Sequence, residues 1–222
     1  MRSAVPRFRL ITDATSEPVS LADARAYARI DDTSDDATVT SLIANARRHI
    51  ERITGLALLT QTWVAVFDRW PGAYRSGLAG PWWDGVRDVP LSMLTGSDPV
   101  NLIKQPFQSV TQIQLRDAYG ALSSVDPSIY YTSVSDYRGL LMLKLGQVWP
   151  TIVLAPAGAI EVTMKLGFGD VAANVPEDLT TAVKVFVKHF YDNRDLLNEG
   201  NSVPQPHHVD DLLRPWKALR LR

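Results

Sequence analysis

Two groups of side chains in this sequence have the types that do chemistry. His207 and His208 stand just before Asp210 and Asp211, and imidazole and carboxylate groups are reasonable metal ligands. Adjacent residues seldom face one ion, however, and the surrounding NEGNSVPQPHHVDD is polar and punctuated by proline, so a reading without metal is preferred. His189 and Tyr191, followed by Asp192 and Asp195, have the makings of a general acid–base pair in a small hydrolase. No nucleophile can be placed beside them. The chain has no cysteine, and it lacks GxSxG, P-loop, HExxH and GxGxxG patterns. GFGD at 167–170 is the nearest glycine-rich candidate for a phosphate cradle, but it lacks the lysine and the spacing, so it reads as a turn. No catalytic residue, metal site or cofactor is expected.

Residues that could bind are more numerous. Trp82 and Trp83 lie in a glycine- and proline-rich stretch and could stack on sugars or bases, fill a partner's pocket, or fold back over a sheet. The chain end, LLRPWKALRLR, carries Arg214, Lys217, Arg220 and Arg222 among Leu212, Leu213, Trp216, Leu219 and Leu221, with no acid. Such a segment cannot bury much against itself, and it reads as an extended, amphipathic docking tail. A formal net charge of -1 argues against the clustered cations that sequence-specific duplex binding needs. The start, MRSAVPRFRL, has no apolar core of a signal peptide, and no run approaches a membrane span, so a protein made and used in a cytoplasm is expected.

The elements that would position these residues follow from periodicity. Ser20 and Asp23 open a short helix over 20–30. Val39, Leu42, Ile43, Ala46, Ile50 and Ile53 form the apolar stripe of a second helix, with Arg47, Arg48, Glu51 and Arg52 on its opposite side and Gly55 as its cap. From Gln61 the period becomes two: TWVAVF, SVTQIQLRD, SIYYTSV, GLLMLKL and IEVTMKL read as strands separated by turns such as AYGALSSVDP and SDYRG. Residues 69–101 look like a long excursion from this unit. VPEDLTTAVKVFVKHFYDNRD then returns to helix, with Pro176 and acids in the first turn and Leu179, Ala182, Val183, Phe186, Val187 and Phe190 on one face. The expected architecture is α+β: an N-terminal helical part (1–59), an inserted antiparallel β domain (60–171), a C-terminal helix packing on the N-terminal helices (172–197), and an extended tail (198–222).

Several stretches together resemble the head-tail connector, or adaptor, proteins of long-tailed bacteriophages and gene transfer agents. They are PVSLADARAYARIDDTSDDATVTSLIANARRHIERITG, LLTQTW, QPFQSVTQIQLRDAYG, Tyr130, WP at 149 and 150, MKLGFG and VPEDLTTAVKVFVKHFYDNRD. The resemblance covers most of residues 18–195; the 69–101 stretch and the last 25 residues fall outside it. It implies a structural virion protein rather than an enzyme. Such a protein would form a ring of its own copies, a dodecamer, beneath the portal protein and above stopper and tail proteins. DNA would pass through its lumen without specific binding, and the particle would be assembled in the host bacterial cytoplasm. It also implies that the C-terminal segment reaches the portal, which makes Leu212, Leu213, Arg214, Trp216, Lys217, Leu219, Arg220, Leu221 and Arg222 the expected docking residues. Trp82, Trp83, Tyr191 and Arg194 are expected at a subunit or tail-protein interface. The alternatives are a stopper or tail-terminator virion protein, and a ligand- or carbohydrate-binding β module.

Overall fold

A computed structural model of the chain describes residues 6–70, 99–193 and 207–217. It divides into two compact units, one made of Met1–Asp13 with Gln61–Leu166, the other of Ala14–Thr60 with Gly167–Arg222.

The first unit is antiparallel β structure. Strands β1 (Arg7–Thr12), β2 (Gln61–Phe67), β3 (Val100–Leu102), β4 (Phe107–Arg116), β5 (Leu122–Ser124), β6 (Tyr130–Ser135), β7 (Arg138–Leu143) and β8 (Ile160–Leu166) form two sheets. The larger has the order β1-β2-β8-β4-β5 and the smaller β3-β7-β6. Strand β8 lies inside the larger sheet, and its alternation is the one expected of a half-buried strand: Ile160, Val162, Met164 and Leu166 are buried, while Lys165 is exposed. β6 and β7 are joined by a two-residue hairpin in which Asp136 and Tyr137 both have positive φ, the geometry that matches the twist of the flanking strands. Gly139 in β7 gives room to a ring: a Cβ there would come 2.5 Å from Phe107. Trp149 of the WP pair stacks on Trp70 with ring centroids 3.8 Å apart, and Tyr130 lies beside it. Arg7–Thr12, assigned to the helical part on sequence grounds, pairs instead with β2 as an edge strand.

The second unit is helical. Helix α1 (Leu21–Ala28) begins at Ser20, whose hydroxyl oxygen accepts from the Asp23 amide at 3.1 Å. Helix α2 (Asp36–Thr54) ends in a left-handed Gly55 whose amide donates to Glu51 O. Helix α3 (Glu177–Asp192) packs against α1, α2 and a fourth helix, α4 (His207–Leu213). One apolar cluster joins them, with Ile43, Ile50, Val183 and Phe186 at 0–2% exposure. Gly167 and Gly169 serve a backbone crossing. Phe168 N–H donates to Leu58 O and Thr60 N–H to Gly169 O, and a Cβ on Gly167, whose φ is +132°, would sit 2.4 Å from the Leu59 carbonyl. The GFGD stretch is thus a tight strand-to-helix turn.

Arg47 departs from the pattern. Expected on the polar side of α2, it is 1% exposed, because its guanidinium is met from two directions. Nε and Nη2 donate to the two oxygens of Glu17 at 2.9 and 3.3 Å, and Nη1 donates to Glu51 at 3.3 Å. Glu51 in turn accepts from the Leu58 amide at 3.0 Å. Removing one partner of a buried ion pair leaves the other charge uncompensated. Arg47→Ala is therefore expected to lower the unfolding free energy of the helical unit by about 3 kcal/mol, measured by chemical denaturation followed by circular dichroism.

Candidate functional site

The residues singled out from sequence fall into three groups. Trp82, Trp83, Arg194, Leu219, Arg220, Leu221 and Arg222 lie outside the described residues. Tyr191, expected at an interface, is half-buried, and its hydroxyl donates to the Asp35 carboxylate. That bond ties the end of α3 to the 3-10 turn Thr33–Asp35 that leads into α2. The third group, Leu212 to Lys217, sits at the base of the tail.

Where an extended tail was expected from residue 198, residues 207–217 are helical and packed. α4 runs His207–Leu213 and is followed by a 3-10 turn, Arg214–Trp216. Val209 and Leu213 are 2% and 0% exposed within the helical unit's own core, and the Trp216 ring meets Phe168 edge-on at 5.7 Å. The physical reason is spacing. Val209, Leu213 and Trp216 recur at intervals of four and three, which places them on one helical face, and α3 and Phe168 provide the apolar surface against which that face closes. Leu213 and Trp216 are therefore occupied by their own subunit. Arg214 is exposed, and Lys217 reaches back to Asp210 at 2.9 Å. Asp210 is thus engaged in an ion pair, Asp211 is exposed, and no group of three or more metal-ligating side chains gathers among the described residues.

His189 does not face a nucleophile. It lies on α3 near His49 of α2, with Asn193 Nδ2 at 3.4 Å from its Nδ1. His49 itself is wedged edge-on against Phe186 and Phe190, at centroid distances of 4.7 and 5.8 Å. Burial first, then the nearby Arg52 and His189, holds its imidazole below the ordinary value of 6.5. The pair is a packing element between helices.

Two surfaces were not foreseen. One is a set of exposed apolar loop residues on the β unit: Tyr119, Leu145, Val148 and Val153, from 72% to 97% exposed. Ala118 N–H donates to Val153 O, which draws the turn around Tyr119 beside the 151–155 segment. The other is a recess of about 350 Å³ lined by Arg7, Phe8, Arg9, Val66, Arg116, Ala157, Gly158 and Glu161. Arg9 and Arg116 share the Glu161 carboxylate at 3.6 and 3.1 Å, and Arg7 pairs with Asp68 at 2.8 Å. The Arg-x-Arg alternation in RFRLIT carries the signal for it, since residues two apart on a strand share a face, but only the sheet order brings Arg116 alongside.

Comparison with known proteins fits this arrangement. The chain has the α+β fold of neck chains from gene transfer agent particles. It is 21% identical, with a TM-score of 0.71, to a chain in the neck of an empty gene transfer agent particle computed with C6 symmetry. It is 19% identical, with a TM-score of 0.68, to one in the virion of a native gene transfer agent particle. A third, in the neck of a native particle computed with C12 symmetry, is 22% identical with a TM-score of 0.66. Each match covers 97% of both chains. Residues 18–80 match the family model described as phage gp6-like head-tail connector protein, so the resemblance read from the sequence is borne out. No curated protein sequence matches the chain. No helix among the described residues is long and apolar enough to cross a membrane.

Two outcomes follow for the helical unit. Leu213→Ala is expected to destabilise it by about 2–4 kcal/mol, through lost burial and the cavity left behind, as read from its denaturation midpoint; a free docking residue would show no change. Because His49 binds its proton less readily when folded than at the ordinary 6.5, its contribution is fully present above pH 6.5 and is lost as pH falls below that value. Thermal unfolding from pH 7.5 down to 5 is expected to show a declining midpoint, and His49→Gln to flatten the decline.

Proposed function

We propose that the chain is a structural head–tail adaptor of a virion neck, forming a ring between the portal and the stopper or tail proteins and continuing the DNA channel. One observation carries this reading: the likeness to neck chains extends over 97% of the chain, through both the β unit and the helices, and the connector family model falls on residues 18–80. A ligand- or carbohydrate-binding β module leaves the helical unit unexplained and is not favoured. A stopper or tail-terminator is not favoured either, because the family model matched is that of a head-tail connector.

The mechanism is assembly by surface complementarity. A subunit of net charge -1 meets a ring of portal subunits that already display symmetric sites. Each bound copy then raises the effective concentration of the next contact, so that portal and neighbour contacts reinforce one another. The portal fixes the rotation at which head-to-tail contacts close into a ring, a dodecamer on this reading. A lumen that passes DNA must not grip it, because each tight phosphate contact would resist movement. The near-neutral charge is consistent with that.

In the docking tail, Val209, Leu213 and Trp216 hold the base against the subunit, Leu212 is half-buried beside them, and the basic end does the reaching. Arg214, Lys217, Arg220 and Arg222 would set register against portal acids, with Leu219 and Leu221 as apolar anchors. The packed base provides a fixed point from which this end departs. The exposed Tyr119, Leu145, Val148 and Val153 suit a contact with a neighbouring subunit or tail protein.

Electron microscopy of the protein mixed with its portal is expected to show a ring of density beneath the portal; absence of binding would overturn the adaptor reading. A chain ending at Lys217 keeps Leu213 and Trp216, so it is expected to fold normally and to bind portal at least tenfold more weakly in a pull-down. Unchanged binding would remove the tail assignment alone.

A further inference from the structure

The arginine-lined recess is a charged surface that neither the packing of the sheets nor portal docking uses. Three guanidinium groups, Arg7, Arg9 and Arg116, face two carboxylates, Asp68 and Glu161. Arg7 and Arg9 remain 64% exposed, and Arg9 reaches Glu161 only at 3.6 Å. The site therefore retains one uncompensated positive charge beside Phe8, Val66 and Ala157, which line the same recess. A single surplus charge with apolar neighbours is too little to hold a polyphosphate backbone, which needs several cations. It is suited to one or two carboxylates on a short peptide loop, where bidentate guanidinium pairing is favourable.

The chain itself carries such a loop. Between α1 and α2 the sequence reads DDTSDD. Asp36 is taken by Arg25 at 2.9 Å, and Asp35 accepts from Tyr191. Asp31 and Asp32 are exposed and form no ion pair among the described residues; the Asp32 carboxylate accepts from the amide and hydroxyl of Ser34, two residues on. The loop's geometry is fixed by that cap and by Arg25, which donates to Ile30 O and Asp31 O. It thus offers one carboxylate held by its own turn, Asp32, next to the exposed Asp31.

We propose that the recess formed by Arg7, Arg9 and Arg116 receives the Asp31–Asp32 loop of a second copy of this chain, as a head-to-tail contact between neighbouring subunits. This rests on the adaptor reading, because a ring holds copies of the chain side by side at high local concentration. The two patches differ and have opposite sign, so the contact is heterologous, the type that generates rings.

Because the native chain has no cysteine, a Thr33→Cys and Ala157→Cys double variant provides a clean probe; both positions are exposed. Assembled with the portal and mildly oxidised, it is expected to give disulfide-linked species at successive multiples of the chain mass, whereas either single variant gives no more than a dimer. Arg9→Glu is expected to weaken subunit association at least tenfold by sedimentation, and adding Asp31→Arg to the same chain to restore it. If Arg9→Glu fails to fold by circular dichroism, Arg9→Gln takes its place and is expected to weaken association in the same direction. Rings beneath the portal with no cross-linked ladder from the double variant and no effect of Arg9 substitution would overturn this contact and leave the adaptor reading standing. No ring at all would remove both. Duplex DNA binding that is measurable at about 0.15 M salt, where nonspecific phosphate contacts are already weakened, and lost in Arg9→Glu would make the recess a phosphate site and overturn the proposal.

Discussion

The helical unit depends on one charge that has been taken out of water. Arg47 is 1% exposed, a position that costs several kcal/mol unless every donor is matched. Matching it draws in two remote pieces of chain. Glu17 comes from the segment ahead of α1, and Glu51, one turn further along α2, also receives the Leu58 amide. A single guanidinium therefore fixes the segment before α1 and the segment after α2 to the same helix. The pairing matters more for specification than for net stability, since apolar contacts would hold helices together as strongly; only Arg47 requires these particular neighbours. Residues 58–60 are in turn held against 167–169 by backbone hydrogen bonds, and that crossing delivers the chain into α3.

From this anchor the rest of the unit follows by apolar packing. α3 presents Leu179, Ala182, Val183, Phe186 and Val187 to α1 and α2, and the face left over accepts α4 through Val209 and Leu213. Trp216 closes the series against Phe168. The consequence for recognition is entropic. On the proposed docking, a segment leaving from the packed Val209–Trp216 base would lose less freedom than one without such a base, so more of its interaction energy would remain as affinity.

The legible parts of the fold were those in which periodicity and turn chemistry agree. β8 alternates because one face is buried, and α2 ends at Gly55 because only a left-handed residue closes that cap. Arg47 was illegible for a physical reason: its place on the helix is ambiguous between stripe and solvent face, and its burial is decided by Glu17, thirty positions away. Arg7–Thr12 was assigned to the helical part with the rest of residues 1–59; it becomes a strand by hydrogen bonding to β2, and with only Phe8 even partly buried this leaves little trace in hydropathy. The tail base was misread because charge density masked a three-residue apolar face at helical spacing. Of the docking candidates, those at 219–222 rest on composition and resemblance, whereas the arginine recess depends on sheet order and could not be reached from the sequence.

The near-zero net charge conceals a separation of signs. A subunit with 23 cations and 24 carboxylates reads as featureless, yet the cations of Arg7, Arg9 and Arg116 collect on one sheet and two exposed carboxylates stand at one turn. A two-fold dimer through either patch would set like charge against like, which disfavours closed pairs that could not be added to. Contacts between opposite patches have no such penalty, and a pair joined this way still offers one free patch of each sign. On the proposed contact, charge distribution, rather than charge, would let a monomer remain competent to extend in one direction until geometry closes the ring.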